Sequence, residues 1–242
     1  MERKRGWIYF TLAALMAIVM VSITAYGGWV ETDANGDITY ISGDKVKSVS
    51  KEEVGWTIFD FKSNSMTMVN PEEKSYSRMT VDEYCSFISK MMGGMTAEQR
   101  AMIEQMMKKQ KAPKVVVKKV GSGGKVAGYS SDMYSVVIDG SPRGKVWIST
   151  DGALNRDAGR IMKKIFAYTS KMKKCSSMGG GSGGFEDTKA YQDLLKKGWV
   201  LKELMDGKVE SEVVKLEKKR VPESEFMVPA GFTLKPLKDF IK

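Results

Sequence analysis

The chain has 242 residues, 42% hydrophobic and 28% charged, so it is long enough to bury a core and its composition is not that of a disordered protein. Lysine and arginine outnumber aspartate and glutamate by 39 to 29, and the resulting net charge of +10 suits a negatively charged partner. Histidine is absent and cysteine occurs twice, which excludes Ser-His-Asp and Cys-His catalytic sites and zinc sites made of histidines or of four cysteines. We therefore expect a non-catalytic protein with no catalytic residues, metal or cofactor.

Residues 1–27 have the features of an export signal, because three basic residues near the N-terminus precede an uncharged, largely apolar stretch at 6–28. Small residues fit cleavage after Gly27, whereas the length of the apolar stretch also fits an uncleaved membrane anchor. In both cases the basic end stays in the cytoplasm. Residues 28–242 then form a single exported domain, in the periplasm or on the outer face of the cytoplasmic membrane.

The first part of this domain is predicted to consist of β-hairpins. The stretch "DITYISGDKVKSV" contains two short strands around the turn "SGD", and "GWTIFDF", "KSNS" and "MTMVN" form a second hairpin. In the strand "WTIFDF", Trp56 and Ile58 alternate with Phe59 and Phe61, so both faces carry bulky side chains. We therefore expect apolar cover on each side of the sheet.

Two helices follow these hairpins. Thr80 and Glu83 form a capping box, T-x-x-E, in front of an apolar stripe that ends at a Gly-Gly pair. Thr96 and Gln99 begin a second helix in the same way, with Met102 and Met106 on its apolar face.

Methionine is abundant, with 18 in the chain, and many lie in and around these two helices. The members of this cluster are Met91, Met92, Met95, Met102, Met106 and Met107. Thioethers bind Cu(I), but copper sites usually add histidine or cysteine, and this segment has neither close by. We favour an adaptable apolar surface that fills gaps or lines a groove for an irregular hydrophobic ligand.

The strand pattern resumes with "KVVVKKV". We predict a turn at 121–124 and then a strand pattern through 125–137. The later elements are a helix at about 156–174, a flexible glycine-rich loop at 178–184, a short helix at 191–197 and a hairpin turning at Asp206-Gly207. Because strands predominate and most connections are hairpin-like, the predicted fold is mainly β (α+β), an antiparallel sheet with helices.

Cys85 and Cys175 both lie on the apolar stripes of predicted helices. A disulfide between them fits an oxidising exported compartment, and two separate buried thiols fit the sequence equally well. Without a C-x-x-C motif, redox catalysis by these thiols is not expected.

Basic residues cluster at 108–119, 163–174 and 215–220. These clusters either attract anionic lipid headgroups at a membrane surface or only keep the protein soluble. No helix-turn-helix or aromatic-basic RNA-binding motif occurs, so no nucleic acid partner is expected.

Several sequence blocks resemble a known family in their order and spacing. These blocks are "FDFKSNSMTMVNPEEKSYSRMT", "VGSGGKVAGYSSDMYSV", "GKVWIST" and "PESEFMVPAGF". Together they resemble an uncharacterised family of exported bacterial proteins related to the LolA-like outer-membrane lipoprotein carriers, over about 38–232. The resemblance implies an incomplete barrel, a curved antiparallel sheet whose concave face is covered by helices. It also implies that "VAGYSSDMYSVV" is a strand pair at the middle of this sheet, where Gly128 permits a bend, and the alternative is an ordinary loop between unrelated strands. In the lipoprotein carriers, the space between sheet and helices receives acyl chains.

We therefore expect a non-catalytic protein that binds or carries an apolar ligand, a lipid or an acylated lipoprotein, in a cavity between sheet and helices. The residues expected to wall this cavity are Phe59, Phe61, Trp147, Met102 and Met106. The alternative is an envelope scaffold or protein-interaction domain with a filled core and no ligand. An enzyme ranks third, because its chemistry would have to work without histidine.

Overall fold

The computed structural model describes residues 28–96, 98–99, 101–102, 113–175 and 184–240. The predicted leader at 1–27 lies outside these residues, and so does 178–183 of the predicted glycine-rich loop. The described part of the chain is mainly β, as the sequence predicts.

Twelve strands form one open sheet. In chain order they are β1 (Gly28–Asp33), β2 (Ile38–Ser42), β3 (Lys45–Val49), β4 (Trp56–Asp60), β5 (Ser65–Asn70), β6 (Ser75–Thr80), β7 (Val115–Val126), β8 (Tyr129–Ile138), β9 (Ser141–Ser149), β10 (Val200–Met205), β11 (Lys208–Lys219) and β12 (Thr233–Leu234). Their order across the sheet is β12-β6-β5-β4-β3-β2-β1-β11-β10-β9-β8-β7, so β12 and β7 are the two edges and the sheet is not closed.

The sheet consists of two meanders. Strands β1 to β6 follow one another as hairpins, and so do β7 to β9 and then β10 and β11. Residues 150–199, which include helices, connect β9 to β10, and the pairing of β1 with β11 joins the two halves. The described neighbours pair antiparallel, except the short β12, which pairs parallel with β6. The predicted turns after β2 and after β10 are confirmed. At the second of these, Asp206 and Gly207 both have positive φ, which suits a tight hairpin between twisted strands.

The prediction for residues 121–137 is wrong in two respects. Residues 121–124 do not turn but lie inside β7, where the register to β8 shifts twice. The turn is Ala127-Gly128 instead, with φ of 49° and 84°, and β7 is an edge strand rather than a central one. The sequence misleads here because a turn with two positive φ angles usually carries Asn-Gly or Asp-Gly, whereas alanine rarely adopts positive φ.

The two register shifts in β7 accompany a strong curvature of the sheet. Cα atoms of β7 and β11 come within 8 Å of each other although three strands separate them. In a flat sheet such strands would be about 19 Å apart, at about 4.8 Å per strand. The Tyr129 hydroxyl donates to the carbonyl oxygen of Leu216 across this approach, at 3.5 Å. The predicted curvature is therefore present in the second half of the sheet.

The helices are α1 (Val81–Gly93), α2 (Gly152–Cys175), α3 (Lys189–Leu195) and the short α4 (Leu237–Phe240). Both predicted capping boxes are present. The Thr80 backbone N–H donates to Glu83 Oε2 at 2.7 Å, and the Glu83 N–H donates to Thr80 Oγ1 at 3.2 Å. The same reciprocal pair joins Thr96 and Gln99 at 2.9 and 3.2 Å.

Apolar side chains are buried on both faces of the sheet, as predicted from the strand "WTIFDF". The inner core lies between the sheet and α2 and includes Trp29, Phe59 and Trp199. The outer core lies on the other face of the first strands and contains Val30, Ile58, Val221 and Phe226.

The outer core exists because residues 221–240 cross the sheet and return to its β6 edge. Lys47 forms an ion pair with Glu225 at 2.9 Å, and Lys235 forms one with Glu73 at 2.7 Å. Further along, Thr233 pairs with Ser75, so β12 covers part of β6. All described strands and both cores lie within 28–240.

Candidate functional site

Helix α2 carries the side chains of the candidate site. It begins after Asp151, whose Oδ1 accepts a hydrogen bond from the Leu154 backbone N–H at 2.7 Å. This cap explains why the helix starts four residues before the predicted 156. Its 24 residues span about 36 Å, and apolar side chains at helical spacing pack on the sheet. The buried residues on this face are Leu154, Ala158, Ile161, Met162, Ile165, Tyr168 and Met172.

Tyr168 is the main aromatic contact between α2 and the sheet. Its ring centroid lies 6.0 Å from that of Phe59 and 5.8 Å from that of Phe61, both edge to face. Burial raises the pKa of the Tyr168 hydroxyl far above its ordinary value, so the ring enters the core uncharged. At this position the helix and sheet touch through side chains.

The residues predicted to wall a cavity lie in three different places. Phe59 is buried in the inner core, and Phe61 packs against its edge. Trp147 lies on the opposite face of β9 from the buried Val146 and Ile148. Met102 is 65% exposed, and Met106 lies outside the described residues. The structure brings together Phe59 and Phe61 but does not place Trp147 or Met102 beside them.

The solvent face of α2 is basic. Arg156, Arg160, Lys163 and Lys171 are exposed at helical spacing, and we call these four residues the basic stripe. The other exposed residues among the described side chains of α2 are small and uncharged, namely Gly152, Ala153, Ala167 and Ser170. Asp157 is the single acidic residue of α2, and it is buried at the side of the helix. Neither Arg156 nor Lys163 forms an ion pair with any other described residue.

Neighbouring elements flank α2 on both sides. On one side Lys164 pairs with Asp44 in the β2–β3 turn, and Lys218 of β11 lies 3.6 Å from the carboxylate of Asp157. On the other side, the carbonyl oxygen of Lys196 lies 3.7 Å from the position of a Cβ on Gly159. The Lys196 ammonium is also 5.3 Å from the ring centroid of Phe166. These contacts hold the helix on both sides of its basic stripe.

A carboxyl group is shielded at the seam between the two halves of the sheet. Glu31 of β1 is opposite Leu216 of β11, and its Oε2 accepts a hydrogen bond from the Trp199 indole N–H at 2.7 Å. Trp199 in turn packs on Trp29, with ring centroids 5.3 Å apart. Burial raises the pKa of Glu31 from 4.5 to about 8, and the nearby charge of Asp33 adds to the rise against the opposing effect of the Trp199 hydrogen bond.

A second inward carboxyl lies under α3. The Tyr191 hydroxyl donates to Glu203 of β10, and Phe185 packs edge to face on the Tyr191 ring at 5.0 Å. Burial raises the pKa of Glu203, an effect reduced by the Tyr191 hydrogen bond and increased by the charges of Glu186 and Glu210. This pair lies between a helix and a strand, where it can hold α3 in place.

Cys85 of α1 is in a disulfide, and α1 packs against α2, which ends at Cys175. The side chain of Cys175, the other cysteine of the sequence, lies outside the described side chains. The bond between the two residues therefore stays a prediction.

Two features are absent from the described residues, a metal-binding group and a membrane-spanning helix. Among them, no group of three or more cysteines, aspartates and glutamates is arranged to hold a metal ion. None of their helices has the length and apolar character needed to cross a membrane.

The start of the basic stripe and the shielded Glu31 were not predicted from the sequence. The predicted basic cluster at 163–174 begins too late, because Arg156 and Arg160 belong to the same exposed face of α2. The i, i+4, i+7 spacing of Arg156, Arg160 and Lys163, opposite the apolar stripe, is the signal that would have found them. The sequence also contains a signal for the inward position of Glu31. It lies two residues after the inward-facing Trp29 in β1, and residues two apart in a strand share a face.

Comparisons with known proteins give a family but no curated relative, because a search of curated proteins finds no match. Two structures of PNGF-II are similar, at 14% and 15% identity with TM-scores of 0.36 and 0.37, and they match 89% and 90% of this chain. The chain spans only 32% and 33% of those two chains. An uncharacterized conserved protein from Thermus thermophilus is similar at 8% identity and TM-score 0.41, over 94% of this chain and 98% of that one. The family described as a domain of unknown function, DUF4412, matches residues 42–232. With a match over most of its length, the chain belongs to the DUF4412 family.

Proposed function

We propose that this protein is a non-catalytic, exported interaction domain with a filled core, which acts by docking a partner on its surface. The observation that carries the proposal is the direct packing of Tyr168 on Phe59 and Phe61 between α2 and the sheet. An apolar ligand between helix and sheet would have to separate these rings, which lose contact and burial energy when they part.

The proposal of a non-catalytic role draws on composition and on the carboxyl groups. Without histidine, a general base near neutral pH would have to come from another residue, and the strongly shifted carboxyls each accept a hydrogen bond from an aromatic side chain. Glu31 and Glu203 lie in different strands under different aromatic rings, so they do not form a paired acid and base.

The experiment is to purify the chain from Gly28 onward under native conditions and to identify extracted small molecules by mass spectrometry. We expect no phospholipid or fatty acid in molar proportion to the protein. Near-stoichiometric lipid in the wild-type extract would overturn the filled core and favour a carrier.

A second candidate function is the binding or carriage of a lipid or an acylated lipoprotein, as in the LolA-like carriers that the sequence blocks resemble. The observation that favours it is the exposed Met102, in a helical stretch begun by the Thr96–Gln99 capping box. A flexible methionine surface adapts to irregular apolar ligands. If this candidate holds, Met102→Asp with Met106→Asp abolishes the uptake of a fluorescent fatty acid by a folded protein. Unchanged uptake in that variant would exclude these residues as the wall.

A further inference from the structure

Two cations of the basic stripe of α2 form no contact that the packing of the described residues uses, whereas Lys171 donates a hydrogen bond to Asn64 Oδ1 at 2.9 Å. Arg156 and Lys163 form no ion pair with any other described residue, and Arg160 lies 3.8 Å from the buried Asp157. By contrast, Lys164 and Lys173 on the sides of the helix pair with Asp44 and Asp187. Cations that serve the fold are therefore at the flanks, and the unmatched ones point to solvent.

The side chains of the stripe suit a partner that carries many negative charges and is bound by electrostatic attraction alone. Its exposed small residues, Ala153, Ala167 and Ser170, offer no apolar anchor that could enter a hydrophobic pocket or the interior of a bilayer. They also offer no aromatic ring on which a nucleic acid base could stack and no amide to read a base edge.

The elements beside the stripe bear on whether its partner is a planar surface or the groove of a DNA duplex. A helix that enters a DNA major groove about 12 Å wide must protrude from its domain. Helix α2 is instead flanked by the β2–β3 turn and Lys218 on one side and by Lys196 on the other. Neighbouring elements therefore lie on both sides of the stripe, which favours contact with a plane over entry into a groove.

We propose that the basic stripe docks this domain on the surface of a bilayer that contains acidic phospholipids. The inference rests on the proposed function, because it names the partner of the interaction domain. Binding is peripheral and electrostatic, so it weakens when salt shortens the range of the charges.

The test uses the chain from Gly28 onward, which contains all described strands, and sedimentation with vesicles. Vesicles of phosphatidylglycerol and phosphatidylcholine in equal parts are compared with vesicles of phosphatidylcholine alone, at about 0.1 M salt, where the screening length is about 10 Å. We expect binding to the acidic vesicles only and its loss at about 1 M salt, where the screening length falls to about 3 Å.

Substitutions test whether the acidic vesicles bind at the basic stripe. Each cation near an anionic surface raises the partition about fivefold, so Arg156→Gln with Lys163→Gln should weaken vesicle binding about 25-fold. The matched control is Lys125→Gln with Lys145→Gln, which removes the same charge from exposed positions on β7 and β9. We expect less than about a threefold loss in this control.

Three outcomes overturn the proposal: no sedimentation of wild-type protein with acidic vesicles, an equal loss in the two double variants, or tighter binding of a DNA duplex that depends on Arg156 and Lys163. None of these three outcomes contradicts the proposed filled core, provided that no lipid is extracted from the purified protein. Acidic lipid that leaves the vesicles as a soluble complex with the protein would instead reject the proposed function itself.

Discussion

At Tyr168, one aromatic ring of α2 contacts two aromatic rings of the sheet. It is 2% exposed, so truncation would leave a cavity in the inner core. We expect Tyr168→Ala to lower the free energy of unfolding by about 3–5 kcal/mol, measured by denaturant titration. Tyr168→Phe keeps the ring and should cost less than about 1.5 kcal/mol. Equal losses in the two variants would show that the hydroxyl, and not ring packing, matters here.

Glu31 makes stability depend on pH. Its pKa is raised from 4.5 to about 8 on folding, so the folded state holds a proton that the unfolded chain has released between these values. The stabilisation is complete below about pH 4.5 and is lost as the pH rises through about 8. Because a glutamine amide does not titrate, Glu31→Gln should remove this loss, on the order of 4 kcal/mol between about pH 5 and 9.

The measurement for Glu31 is the free energy of unfolding across this pH range. Glu52→Gln, at an exposed position in the turn before β4, is the matched control and should keep the wild-type slope. A Glu31→Gln variant with an unchanged slope would mean that the carboxyl is ionised in the folded protein.

Among the elements, β7 depends on a glycine at its second register shift. A Cβ on Gly123 would lie 2.3 Å from Cδ1 of Trp147 and 2.5 Å from Oγ of Ser131, so any side chain there forces these groups apart. We expect Gly123→Val to lower the free energy of unfolding by about 1–3 kcal/mol and to loosen the approach of β7 to β11.

The control for this variant is Gly93→Ala at the end of α1, where an added Cβ has nothing within 4 Å. It should be neutral or slightly stabilising, because alanine favours a helix over glycine. Hydrogen exchange of β7 amides reports the loosening, and unchanged exchange in Gly123→Val would contradict this role of the glycine.

The segment at 221–240 is a second element with a specific contact. Phe226 is 4% exposed in the outer core, and its neighbour Met227 is 59% exposed. Phe226→Ala should therefore cost about 3 kcal/mol in the free energy of unfolding, whereas Met227→Ala should stay within about 0.5 kcal/mol. Similar losses from both changes would mean that the segment does not pack on the sheet through Phe226.

For the whole molecule, the sequence allowed the mainly β class, the hairpins of the first half and both helix capping boxes to be predicted. These features depend on alternation, turn residues and local hydrogen bonds, which are readable within a few residues. The pairing of β1 with β11 and the outer cover by 221–240 depend on contacts between distant parts of the chain, and local patterns do not encode them.

The candidate site was predictable only in part for a similar reason. Phe59 and Phe61 are apolar in a strand, so their burial was predictable, whereas their role in the wall of a ligand cavity stays a prediction. Alternation alone does not tell which face of β9 carries Trp147. The basic stripe requires the bounds of α2, and these depend on the Asp151 cap four residues before the apolar pattern becomes clear.

The central claim is that the space between α2 and the sheet is filled, and a titration with cis-parinaric acid tests it most directly. The wild-type chain from Gly28 onward should show no saturable uptake of this fluorescent fatty acid, because Tyr168 packs directly on Phe59 and Phe61. Saturable uptake by the folded wild-type protein at about one molecule per chain would contradict the claim and identify a ligand cavity.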